Sequence, residues 1–213
     1  SDIIDSNSEL LLQLINDILD ISKIEAGTLE FINRTFNLNE ICRDIYEVHK
    51  NRVKPGVTLI FENDHSDLLW VGDQNRLVQV ITNLITNAIK FTSQGEIRFG
   101  FCLQKREKRI EFYVKDTGTG ISEEHMEKIF DRFIKLNNFV QGTGLGLAIS
   151  KMIIEKMGGS IGVESEEQAG STFRFTIPYS EENDMKENSF YNKIHRLGRI
   201  TVVCALISFM AVP

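Results

Sequence analysis

The sequence predicts an α+β protein, a two-layer α/β sandwich of a mixed sheet packed on helices, preceded by one long helix. Three observations lead there. Residues 3–25 carry an unbroken helical apolar period. Residues 73–91 carry a stronger one, with Leu77, Val80, Ile81, Leu84, Ile85 and Ala88 on one face. The strand-like segments beyond residue 94 fall in hairpin pairs rather than singly between helices, which fits a sandwich better than a doubly wound sheet.

In the first helix Ile4, Leu11 and Ile18 repeat every seven residues, and Asn7, Leu14 and Ile21 take the complementary heptad places. Leu10, Ile15 and Ile24 widen the stripe, which points to a helix-bundle seam. Gly27 ends the helix. A partner helix, missing here or supplied by another chain, is therefore expected. The chain starts at Ser1 with no leader pattern after it, so a fragment of something longer is expected as well.

Residues 28–36 read as a strand. Asn37, with Glu40 three residues on, has capping-box spacing for a helix to about residue 52. Pro55 and Gly56 make a turn before a short strand at 57–62. After the 73–91 helix, Gly95 breaks the chain, and 96–104 and 110–115 alternate like a hairpin. Ser122 opens a short helix, 134–145 is a glycine-containing loop, and 147–157 is a helix closed by Gly158 and Gly159. Residues 161–164 and 172–177 make a final strand pair. The segment 180–189 reads as a polar linker. The uncharged run 200–212 is shorter than the ~20 residues a spanning helix needs. A cut membrane segment, a packed terminal element and a cloning artefact all remain open for it.

Composition bounds the function. With 213 residues, 42% hydrophobic and 25% charged, the chain suits one good core with an appendage and excludes disorder or fibrous repeats as a description of the whole. A net charge of −6 and a pI near 5.3 leave no broad basic face, so no nucleic-acid partner is expected. A local basic pocket for a few phosphates is still allowed. Cys42, Cys102 and Cys204 are odd in number and far apart, without a CxxC pair. They suggest neither a zinc site nor a disulfide framework, and a reducing cytosolic environment.

Four clusters carry chemistry. Asn83 and Asn87 share a helix face with Lys90 and Phe91 close by. Carboxamide oxygens are neutral ligands for a hard cation, and lysine suits phosphate. Taken alone, helical asparagines more often bond locally or face solvent. Asp116, Gly118 and Gly120 follow a strand. A carboxylate there can accept from an exocyclic amine such as that of adenine, and the plain alternative is an Asp-Gly turn. Gly142, Thr143, Gly144, Leu145 and Gly146 lead into a helix, where a glycine-rich backbone can cradle phosphates. Its spacing is neither Rossmann nor Walker. Phe130, Asp131, Arg132 and Phe133 form the fourth cluster, whose phenylalanines core packing accounts for.

Together and in this order, the clusters resemble the N box, first glycine box, F box and second glycine box of the ATP-binding catalytic domain of sensor histidine kinases. The 16–27 segment resembles the second helix of that family's dimerisation and phosphotransfer hairpin. The resemblance covers about residues 5–179. It implies a Bergerat-type ATP-binding fold and three regions: 1–27 as half of the hairpin, 28–179 as the catalytic domain, and 180–213 as linker and tail.

The resemblance also implies roles. Asp116 would take the adenine amine. Asn83 and Asn87 would lie by Mg2+ and the phosphates, with Asn87 the direct ligand. Lys90 would contact phosphate and Phe91 would line the site. Gly118 and Gly120, and Gly142 to Gly146 with Thr143 and Leu145, would bring backbone against ATP. Lys135 would steady the γ-phosphate, and Gln141 would be a further metal-side ligand. Residues 121–141 would be a mobile lid.

A phosphoacceptor histidine is not found. His49, His65, His125 and His195 lack its context, and each reads as a surface or packing residue. Related ATPases place a Glu general base where this chain has Asn83, and an amide cannot take a proton from water. Kinase is therefore expected over ATPase. An anti-sigma-type serine kinase and a degenerate nucleotide-binding module are the other readings. The implied partners are a second copy in a homodimer and a response-regulator receiver domain. The implied place is the cytoplasmic part of a membrane-bound sensor kinase, touching membrane only through absent segments or the apolar tail.

Overall fold

The computed structural model describes residues 2–63, 68–134 and 142–180, with the backbone alone for 2–7, 9, 10 and 63. The long helix α1 spans Asp2–Glu25, and two short elements follow, β1 (Arg34–Asn37) and α2 (Leu38–His49). Then come β2 (Val57–Asn63), β3 (Leu69–Gly72) and α3 (Gln74–Phe91). The hairpin β4 (Gly95–Gln104) and β5 (Arg109–Asp116) precedes α4 (Glu123–Met126), α5 (Gly146–Lys156), and the hairpin β6 (Ile161–Glu166) and β7 (Gly170–Pro178).

The main sheet has the order β2-β4-β5-β7-β6. Only β2 and β4 run parallel, so the sheet is mixed as expected. Its two local hairpins are joined through β5 and β7, whose register sets Asp116 opposite Ser171. Alternation along β4 and β5 sends Ile97, Phe99, Phe101, Ile110, Phe112 and Val114 into the core. Phe112 stacks on Phe175 with centroids 4.8 Å apart. The apolar faces of α2, α3 and α5 cover this layer, with Leu77, Leu84, Ile85, Ile153 and Ile154 fully buried. On the opposite face Arg98 bridges Glu62 and Glu96 at 2.6 Å each.

The 28–36 strand is corrected to Arg34–Asn37. Its antiparallel partner is β3, which the sequence reading left unassigned. β3 ends at Gly72, opposite Arg34, because Asp73 turns the chain into α3 as its N-cap. No ladder is left for residues 28–33, and the Ile32 N–H donates to the Asp73 carboxylate instead (2.9 Å). Asn37 caps α2, accepting from the Asn39 N–H. That helix ends at His49, earlier than expected. His49 is a packing residue, buried with Nδ1 on the Ile45 carbonyl (2.8 Å).

The apolar stripe of α1 divides. Leu14, Ile21 and Ile24 turn towards the rest of the fold, while Leu11, Leu12, Ile15, Ile18 and Leu19 are exposed. No described helix is long and apolar enough to cross a membrane. The 180–189 linker beyond Ser180 and the 200–212 run lie outside the described residues.

Candidate nucleotide site

A cavity of about 560 Å³ opens between α3, the loop after β5 and the start of α5. Helix α3 supplies Asn83, Asn87, Lys90 and Phe91 to its wall, in keeping with their shared face. Asn83 and Asn87 are half-buried. Burial lowers the Lys90 ammonium pKa from its ordinary value, so an anion beside it would find a poorly hydrated cation.

Asp116 closes β5 and lines the same cavity at 5% exposure. The Gly118 N–H donates to its carboxylate at 2.8 Å. Burial raises its pKa above the usual carboxylate value, while the Gly118 and Ser171 backbone bonds oppose that rise. The loop then folds tightly. Thr119 N–H reaches the Phe91 carbonyl (3.2 Å), and Gln168 N–H reaches the Thr119 carbonyl (2.7 Å). Gly120 has φ +66, and a Cβ there would lie 2.0 Å from the Glu166 carbonyl oxygen. Only glycine fits that turn.

At the other end Gly142, Thr143, Gly144 and Gly146 line the cavity. The first N–H groups of α5 have no partner within the helix and lie at this loop. A Cβ on Gly146 would come within 2.3 Å of Asn83 Oδ1. Asn83 Nδ2 in turn donates to Ser150 Oγ at 3.0 Å. Asn83 thus holds α3 against α5 while bordering the cavity. Leu145 is fully buried in the core, and only its backbone belongs to the loop. The Phe133 N–H donates to the Gly144 carbonyl (2.8 Å), joining the fourth cluster to the third.

The fourth cluster divides too. Phe130 packs edge-on against Phe173, as expected, but Phe133 is exposed, so core packing accounts for one phenylalanine only. Lys135 and Gln141 lie outside the described residues.

Three contributions had escaped the sequence reading. His125 borders the cavity and pairs with Ser122 (Nδ1 to Oγ, 2.7 Å). Ser171 and Phe173 add wall from β7. Helix α1 reaches the loop: Asp17, 8% exposed, accepts from Thr143 Oγ1 at 2.8 Å. Asp17 is a carboxylate on the inward stripe between Leu14 and Ile21, and that misplaced charge was the available signal.

These donors suit a nucleotide with its divalent cation. A buried carboxylate stands at one end, a poorly hydrated lysine and carboxamides flank the middle, and glycine backbone opens the other. The comparisons agree on the nucleotide. The family model of the histidine kinase-, DNA gyrase B-, and HSP90-like ATPases matches residues 72–181. Hybrid signal transduction histidine kinase B of Dictyostelium discoideum is 43% identical over 177 residues, covering 79% of this chain and 9% of its own length. The catalytic domain of histidine kinase ThkA superposes with a TM-score of 0.61 at 37% identity, covering 72% of this chain and 99% of that one. Full-length ShkA in complex with AMPPNP gives 0.73 at 29% identity, covering 82% and 37%.

Proposed function

The chain belongs to the histidine kinase-, DNA gyrase B-, and HSP90-like ATPase family, among its sensor histidine kinases, and from that premise we propose that it binds Mg-ATP and hands the γ-phosphoryl to a histidine. The observation that carries this reading is the single cavity wall that unites Asp116, Asn87, Lys90 and the Gly142–Gly146 loop. In this reading residues 1–27 are half of a dimerisation hairpin, 28–179 the catalytic domain and 180–213 linker and tail. The acceptor histidine would stand on the other helix of that hairpin.

Asp116 accepts from the adenine amine, with Gly118 and Gly120 closing the turn beneath it. Phe91 lines the nucleotide. Lys90 and the backbone of Gly142, Thr143, Gly144, Leu145 and Gly146 meet the phosphates. Asn87 would hold the metal, aided by Asn83 and Gln141, and Lys135 would meet the γ-phosphate. A Mg2+ held by these residues would supply charge neutralisation during the transfer. The imidazole nitrogen then bonds to phosphorus, the bond to the bridging oxygen breaks, and ADP leaves with the electron pair. An aspartate of a response-regulator receiver domain takes the phosphoryl next. ThkA is known in complex with the response regulator protein TrrA, which favours a partner of that class.

Hydrolysis is disfavoured at Asn83. Its amide has no basic lone pair for water, and it already bonds Ser150. The exposed face of α1 supports a homodimer completed by the other hairpin helix. We place the domain on the cytoplasmic side of a membrane-bound sensor, with no nucleic-acid partner.

The test is incubation of the chain with γ-labelled ATP and Mg2+, with and without a separate hairpin polypeptide carrying a histidine. Acid-labile label on the hairpin, with little free phosphate, is expected. Rapid free phosphate with no labelled protein overturns the kinase reading in favour of an ATPase. Asn87→Ala is expected to remove Mg2+-dependent transfer while sparing part of the nucleotide affinity; unchanged transfer would contradict its role.

A further inference from the structure

Besides its inward apolar stripe, helix α1 makes polar contacts with the nucleotide-domain elements. Arg76 Nη1, at the start of α3, donates to both carboxylate oxygens of Asp20 (2.9 and 3.0 Å), where Gln79 Nε2 also donates (2.8 Å). Arg132 pairs with Glu25 at 2.5 Å. A third contact differs in kind, because it is buried and falls within the glycine loop itself. Thr143 Oγ1 donates to Asp17 Oδ2 and accepts from the Leu145 N–H (3.2 Å). Both Asp17 and Thr143 are more than nine-tenths buried. A two-link chain therefore runs from α1 through one hydroxyl to the backbone amide that precedes α5.

This chain constrains the loop where it needs constraint. Gly142, Gly144 and Gly146 leave the backbone freer than any other residues would. Side chains must supply what the glycines withhold, and Thr143 is the residue among them that does so. It holds the loop only while its own proton has an acceptor. Asp17 is that acceptor, and a buried hydroxyl without one is costly.

We infer that Asp17 is a positioning residue of the nucleotide site: through Thr143 it fixes the Gly142–Gly146 backbone in its phosphate-facing shape, so nucleotide affinity depends on α1 being docked. The inference rests on the reading of this cavity as the Mg-ATP site. It assigns α1 a part in nucleotide binding besides carrying a bundle seam.

The test measures Mg-ATP binding to the 213-residue chain by calorimetry. Asp17→Ala and Thr143→Val are each expected to weaken binding by roughly three- to tenfold. The double variant is expected to bind no more weakly than either single one, because both cut the same link. Thr143→Ser keeps the hydroxyl and Asp17→Asn keeps a carbonyl acceptor, and both are expected to stay within about twofold of wild type. Circular dichroism checks that each variant is folded. Wild-type affinity in folded Asp17→Ala or Thr143→Val overturns the positioning role and leaves the nucleotide site standing. Additive losses in the double variant, or no rescue by Thr143→Ser, also overturn it. A wild-type chain that does not bind Mg-ATP overturns the site reading itself, and this inference with it.

Discussion

The two ends of the cavity rest on different foundations. At the Asp116 end, position comes from strand register. Asp116 is the last rung of β5, opposite Ser171, and main-chain bonds from Gly118, Thr119 and Gln168 close the turn around it. At the Gly142–Gly146 end, besides a main-chain bond from Phe133 to Gly144, position comes from side chains on elements far apart in sequence. Asp17 reaches Thr143 from α1, and Asn83 reaches Ser150 from α3. The first end is as stable as the sheet. The second depends on single bonds that can be lost one at a time without unfolding anything else. A site divided in this way can keep hold of one part of its ligand while the grip on the other part changes.

The sharpest way to break the contrast is at Asp116. Asp116→Ala removes the buried carboxylate at the sheet end, and on the proposed reading nucleotide affinity is expected to fall by roughly two orders of magnitude. Calorimetry that found ATP bound normally by a folded Asp116→Ala protein would refute the assignment. The loop end is expected to fail differently, through packing. In Gly146→Ala the new methyl group would press on Asn83 Oδ1, which cannot swing aside without losing Ser150. A stability loss of about 1–3 kcal/mol is expected in urea denaturation. An unchanged midpoint would mean that α3 and α5 are not held together there.

The smallest effect separates folding from function at the sheet end. Burial raises the pKa of Asp116 above its ordinary value of 3.8, so the folded chain holds that proton more tightly than the unfolded chain. Stability from this group is therefore lost as the pH rises from 3.8 through the raised value, and it stays lost above it. Asp116→Asn lacks the buried charge. Without nucleotide it is expected to melt a few degrees above wild type at pH 7, with the gap closing as the pH falls towards 3.8. A gap that stays constant across that range would rule out this origin.

What could be read from the sequence follows the same division. Periodicity gave α1, α3, α5 and both hairpins to within a residue or two, since each is a local pattern repeated several times. It gave no sign of β3, a four-residue strand at 69–72 whose pairing with β1 depends on the fold bringing 34–37 beside it. The glycine loops and the asparagine pair could be picked out because their residue types and spacing are unusual, and the fold brings both to one cavity wall. Lining from His125, Ser171 and Phe173 was not, because nothing local distinguishes a cavity wall from ordinary surface or core. Phe133 misled for a related reason. An aromatic beside a short helix usually packs inward, but here φ +63 at Phe133 turns the chain back towards Gly144.

The pairing of Asp116 with Ser171 has a consequence for how this architecture can vary. After Asp116 the chain leaves the sheet for the short helix, the glycine loop and α5, rejoins it at the edge strand β6, and the β6–β7 hairpin then sets Ser171 beside Asp116. The entropy of closing such an excursion grows only with the logarithm of its length, so doubling it costs about 0.6 kcal/mol. Residues can be inserted or deleted along its exposed stretches with little penalty to the sheet. The ladder of β5 and β7 works as a fixed socket, into which nucleotide-facing segments of quite different length could be fitted without re-engineering the core beneath them.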